Sequence, residues 1–147
     1  MAIHVGRPVD LECEHGGESH SNLAIHGDID IIPPGIPACW EMNEKDTTLL
    51  LAVSPKLLNQ VAKASGFETD GVEARIRFQV RDPHIEHIGW ALKAEVEQNY
   101  PGGKPYMESM AIALGAQLLS CHSSLARDRR LPDGGLSPRK LGKCFVY

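Results

Sequence analysis

The sequence predicts an α+β protein, with an N-terminal antiparallel β half and a C-terminal helical half. Three observations predict it. Short alternating runs joined by Gly and Pro turns fill the first fifty residues. Cap-and-proline helix starts, Ser54-Pro55 and Asp82-Pro83, come after them. The change of period can be read inside one stretch. Ala74, Ile76, Phe78 and Val80 alternate with Arg75, Arg77, Gln79 and Arg81, whereas Ile85, Ile88, Ala91, Leu92 and Val96 recur at three and four.

Residues 1–53 carry the strands. Ile3 and Val5 alternate until Pro8. Val9, Leu11 and Cys13 alternate with Asp10, Glu12 and Glu14, and His15-Gly16-Gly17 supplies the positive φ of a hairpin turn. Ser19 to Ile25 returns. Gly27-Asp28 turns into Ile29, Ile31 and Ile32, and Pro33-Pro34-Gly35 ends that strand because proline lacks the ladder donor. Ala38, Trp40 and Met42 resume the alternation. The run from Thr47 to Val53 is apolar enough to be central. Five or six short strands so joined have the cadence of a sandwich or small barrel. The segment GDIDIIPPGIPACW, a Gly-Asp turn, a short Ile strand and a Pro-Gly loop, resembles the second hairpin of cupin-like β-barrels.

Residues 54–130 read as helices plus one further strand, 75–81. A short helix runs from Pro55 to near Gly66, and a second follows Asp82-Pro83 until Asn99-Tyr100-Pro101-Gly102-Gly103. A long helix runs from Pro105 to about Ala126. On it Met107, Ala111, Leu114, Leu118, Cys121 and Leu125 make a heptad-like seam, with Ile112 and Leu119 off it. One stripe is expected to pack on the sheet. The other marks Met107, Ile112, Leu114, Leu118 and Leu119 as contacts of a homodimer. Residues 131–147 read as a linker, LPDGGL, and a helix start at Ser137-Pro138 with too few residues after it to be stable alone.

A chain of 147 residues is expected to form one domain. No apolar run approaches the ~20 residues of a membrane-spanning helix, and the start, MAIHVGRPV, lacks a signal-peptide pattern, so a cytoplasmic protein is expected. A net charge of -4 argues against gripping a phosphate backbone. Cys13, Cys39, Cys121 and Cys144 show no Cys-x-x-Cys spacing and are expected to be reduced thiols.

HVGRPVDLE, GDIDIIPPGIPACWE, LLLAVSPKLLNQVA, RFQVRDPHIEHIGWALKAE, YMESMAIALGAQLL and GGLSPRKL, in that order, resemble the N-terminal, non-DNA-binding domain of AraC-type transcription regulators. The resemblance implies a cupin-like barrel for effector binding, helices that dimerise, and a linker to a helix-turn-helix domain. The chain ends soon after the stretch resembling that domain's first helix, so a truncated regulator without its own DNA-binding domain is expected. The alternative is a small metal-dependent cupin enzyme, an isomerase or dioxygenase.

Candidate sites follow from residue chemistry. Trp40, with Ile36 and Cys39, follows the Pro-Gly loop where an effector pocket would open, and Arg77 could meet an anionic effector. His20, Asn22 and His26 stand near the positions of a cupin metal set but are one ligand short, and His4 or His15 would complete it only if the fold chanced to bring one of them there. No metal and no cofactor is therefore expected. Glu12 and Glu14 share an exposed hairpin face, and His84 and His87 the polar side of a helix. Gly-x-Ser-x-Gly, a phosphate loop and His-Glu-x-x-His are all lacking, so no catalytic residue is assigned and the chain is not expected to be an enzyme.

Overall fold

The computed structural model describes residues 1–67 and 72–127. The linker and late helix start within 131–147 lie outside the described residues.

The alternating runs become strands β1 (Ala2–His4), β2 (Val9–His15), β3 (Glu18–Ala24), β4 (Ile29–Ile31), β5 (Ala38–Met42), β6 (Thr48–Leu50) and β7 (Arg77–Val80). They pair antiparallel in two sheets, a four-stranded one ordered β6-β1-β4-β7 and a three-stranded one ordered β3-β2-β5. The α+β expectation holds. Among the described residues the ladders do not join into one closed ring. The strand read at 75–81 is shorter than its alternation and belongs with the β half, beside β4.

The helices are α1 (Pro55–Ala64), α2 (Pro83–Glu97) and α3 (Gly103–His122), followed by a 3-10 turn, Ser124–Arg127. Two start as the sequence indicates. Ser54 Oγ accepts from Leu57 N, and Asp82 accepts from His84 N and Ile85 N, each serving amides that have no partner inside the helix.

Burial patterns give the layers. Along β2, Val9, Leu11, Cys13 and His15 are buried while Asp10, Glu12 and Glu14 are exposed, so the three-stranded sheet has one wet face. In β1 and β4 every residue is buried. Ile3, Ile29 and Ile31 pack with Leu58, Val61, Ile85, Leu114, Leu118 and Leu119 of the helices. Ala2, His4, Asp28 and Asp30 face the other way, into the gap between the sheets. The order is therefore three-stranded sheet, gap, four-stranded sheet, helices. Both contact layers are close. A Cβ on Gly89 of α2 would meet Ile3 Cδ1 at 2.8 Å, and one on Gly115 of α3 would meet Val61 of α1 at 3.3 Å.

This packing corrects the dimer stripe. Helix α3 lies against both α1 and α2. Leu114, Leu118 and Leu119 are 2–3% exposed inside the chain's own core and offer no surface to a second copy. The off-seam position Leu119 is covered from within, because α1 and α2 flank α3. Met107 is half-buried, and Ile112, at 52%, is the exposed member of the five.

Candidate functional site between the two sheets

The gap holds a cavity of about 200 Å³. Its apolar walls are Ala2 and Leu50 from one sheet and Leu11, Ala24, Trp40 and Met42 from the other. Its polar groups are His4, Asp28, Asp30, Asp46, Thr48 and Gln79. An apolar cleft with a few convergent polar groups is the usual form of a small-molecule site.

Gln79 reaches the cavity through a break in β7. The register of β4 against β7 shifts between Ile29 and Ile31, and Gln79 has φ +45, in the left-handed region that bulky residues avoid. The alternation read from the sequence put Gln79 on the wet face with the arginines, and the bulge turns it inward. Its backbone N–H donates to Asp30 Oδ1 at 2.9 Å, and its Oε1 accepts from His20 Nε2 at 2.6 Å. With Oε1 engaged, the buried amide nitrogen of Gln79 has no partner among the described residues. Asp46 is similar: Oδ2 meets His4 Nδ1 at 3.0 Å and the Thr48 hydroxyl at 3.0 Å, while buried Oδ1 has no partner among the described residues. Unpaired buried polar atoms are costly, and both of these belong to residues that line the cavity.

Behind the cavity wall lies a second polar group. Cys13 and His15, two apart on β2, point inward and meet Asp30 of the opposite sheet; donor atoms of the three lie within 4.8 Å of one another. His15 is fully buried, its ring stacked on Phe78 at 4.7 Å and edge-on to Trp40 at 5.1 Å. Its Nδ1 bonds Glu14 O at 2.8 Å, while Nε2, 3.6 Å from Asp30 Oδ2, has no hydrogen-bond partner among the described residues. Asp30 Oδ2 accepts from Trp40 Nε1 at 2.8 Å. Burial, reinforced by the Asp30 charge, pushes the Cys13 thiol up to about 11.

The residues singled out from sequence separate. Trp40 lines the cavity. Ile36 and Arg77 line a different recess, about 820 Å³, beside Pro33, Pro34 and α1, and among the described residues no unpartnered buried polar atom lies there. Cys39 alternates with Trp40 and is exposed on the outer face of β5. His20 is half-buried and spends Nε2 on Gln79; His26 is exposed, stacked on Trp90 and 3.9 Å from Glu86. These two histidines do not come together. Sequence reasoning missed Asp30 and Gln79, and it weighed His15 only as a completion of the His20 and His26 set, not as the inward partner of Cys13. The signal for the pair was the two-residue spacing on an alternating strand.

A third cluster ties helices together. Asp82 Oδ2 accepts from Gln117 Nε2 and pairs with His122 Nε2, both at 2.8 Å, while Oδ1 caps α2. Burial alone would raise this carboxyl; the bonds from Gln117, His122 and Ile85 outweigh it and hold Asp82 below the usual range.

No helix among the described residues is long and apolar enough to cross a membrane. No family model, curated protein or solved structure matches the chain.

Proposed function

We propose that the chain is the effector-binding and dimerisation part of an AraC-type transcription regulator, its two sheets serving as the cupin-like barrel of that resemblance. The observation that carries the reading is the inter-sheet cavity, with its apolar walls and the few polar side chains, Gln79 and Asp46 among them, that line it. The effector is a small molecule with an apolar body, an acceptor for Gln79 and a donor or cationic group for the acidic wall. The exposed face of α3 around Ile112 is the place for a second copy.

The test is a fusion of the chain to a DNA-binding domain that acts only as a dimer. The expected result is repression of a reporter that a small molecule modulates. Ala24→Leu, which fills the cavity, should remove the modulation and keep the repression. Repression no better than the DNA-binding domain alone would overturn the reading. The chain by itself should show no specific affinity for duplex DNA in a gel shift with competitor, given its net charge of -4. The runner-up is a small metal-dependent cupin-type enzyme. The buried group of Cys13, His15 and Asp30 favours it, and turnover by the metal-loaded chain would put it first.

A further inference from the structure

The geometry points to a divalent transition-metal site of the zinc class, formed by Cys13 Sγ, His15 Nε2 and Asp30 and fastening the two sheets to each other. The site stands on these three side chains whichever of the two functional readings holds.

Four observations converge on it. The first is spacing. Two nitrogen or oxygen ligands ~2.0–2.2 Å from one tetrahedral ion lie roughly 3.3–3.6 Å apart. His15 Nε2 and Asp30 Oδ2 are 3.6 Å apart, too far for a good hydrogen bond and suited to a shared ion. Cys13 completes a set whose donor atoms all lie within 4.8 Å, so a small side-chain rotation closes it.

The second is the tautomer. His15 Nδ1 donates to Glu14 O, which leaves the Nε2 lone pair of the neutral ring facing the carboxylate. That nitrogen is fully buried and, among the described residues, has no hydrogen-bond partner. Two lone pairs directed at each other are relieved by a proton on the ring or by a cation that both bind, and the 3.6 Å gap suits the second.

The third is charge. Asp30 is 6% exposed, and among the described residues no Lys or Arg pairs with it. Its hydrogen bonds from Trp40 Nε1 and Gln79 N and the more distant charge of the Met1 ammonium meet part of the cost of burying it. A divalent ion displaces the Cys13 thiol proton to solvent and leaves thiolate, carboxylate and neutral imidazole around a 2+ centre, with no net charge.

The fourth is support. Metal ligands are held by outer hydrogen bonds. Here Glu14 O holds His15, Trp40 Nε1 and Gln79 N hold Asp30, and the rings of Phe78 and Trp40 fix the imidazole plane. The thiol–imidazole–carboxylate set suits zinc and cobalt better than magnesium or calcium, which prefer all-oxygen shells.

The probe is Co2+ added to protein stripped with chelator, using a chain whose other cysteines, Cys39, Cys121 and Cys144, are replaced by Ser. The expected result is one Co2+ per chain, a thiolate-to-cobalt charge-transfer band, quenching of Trp40 fluorescence in a Trp90→Phe background, and a higher Tm. Zn2+ should displace the cobalt. Cys13→Ser should abolish the band, and His15→Gln or Asp30→Asn should lower affinity by at least the ~10–100-fold that loss of an outer-shell partner costs. Circular dichroism reports whether each variant is folded. Should Cys13→Ser fail to fold, the parent protein decides alone: sub-stoichiometric cobalt, no charge-transfer band or an unchanged Tm overturns the site. A band that persists in folded Cys13→Ser overturns it as well.

Discussion

Two buried histidine–aspartate pairs, one among the helices and one between the sheets, are finished to different degrees. His122 Nε2 and Asp82 meet at 2.8 Å, and Asp82 also takes Gln117 and two helix amides, so the ring nitrogen left without a partner among the described residues, Nδ1, is the one away from the carboxylate. Asp30 also has a donor on each oxygen, Gln79 N and Trp40 Nε1, but His15 stands 3.6 Å away and its idle nitrogen, Nε2, is the one that faces the carboxylate. The first pair is a clasp that closes α2 on α3. The second is held in place by its surroundings and leaves room between its members. The same contrast separates the layers around them. The helix side of the four-stranded sheet is filled by Ile3, Ile29, Ile31, Leu114, Leu118 and Leu119, whereas its other side borders a cavity. One interior holds the fold together, and the other is available for chemistry.

The largest expected effect tests the filled interior. Leu119→Glu places a charge in a site 2% exposed and should destabilise by about 4 kcal/mol or more, read as loss of a cooperative thermal transition. Ile112→Glu, on the same helix at 52% exposure, should change stability by less than ~0.5 kcal/mol and act, if at all, on self-association measured by light scattering. Equal stability losses at the two positions would contradict the placement of α3.

Next come the two aspartates. Asp82→Asn keeps a cap oxygen but turns an amide donor toward Gln117 and His122, which should cost roughly 1.5–3 kcal/mol in urea unfolding. Asp30→Asn in metal-free protein should cost less than ~1 kcal/mol, since the lost bond is offset by removal of a buried charge that no Lys or Arg among the described residues pairs with. A larger loss at Asp30 than at Asp82 would reverse the comparison.

Acid should find the same difference. The folded Asp82 carboxyl lies below its ordinary value of 3.8. Its stabilisation is therefore complete above that value and is lost as pH falls through the lower, folded one. The stability gap between the parent chain and Asp82→Asn should be constant near neutrality and shrink in the most acidic samples. A gap that is unchanged in acid would mean that Asp82 is not held below its ordinary range.

Most of the fold was legible because each layer left its period in the sequence. Val9 to His15 alternates because one face of that sheet is wet, and Ser54-Pro55 and Asp82-Pro83 mark helix starts because the first amides need acceptors. The site was not legible, for a related reason. In β4 the alternation of Ile29, Asp30 and Ile31 reads as in, out, in. Both faces are in fact buried, one under helices and one against the second sheet, so the polar residue points at the cavity. His15 was read as part of a turn, although it ends the buried set of β2. Leu119 misled because periodicity shows that a stripe is apolar without saying what covers it. Here α1 and α2 cover it.

The smallest effect concerns Gln79 and sharpens the contrast at a single residue. Its alternation with Phe78 and Val80 continues through the bulge, so nothing in the sequence announces φ +45. A residue with a Cβ pays about 1 kcal/mol or somewhat more for that conformation, and glycine does not. Gln79→Ala and Gln79→Gly both remove the amide and its bond to His20, and they differ chiefly in this backbone term. Gln79→Gly should therefore be the more stable of the two by about 1 kcal/mol, the reverse of the order expected in a regular strand. The α2–α3 connection has left-handed residues too, Asn99 and Tyr100, but Tyr100 is exposed and neither lines the cavity. At Gln79 the strain has a consequence: it turns an amide into the gap between the sheets. Both variants should lose effector response in the fusion reporter to the same degree, because the lost group is the same. If Ala proves as stable as Gly, β7 is regular at this position, and the route by which Gln79 reaches the cavity is wrong.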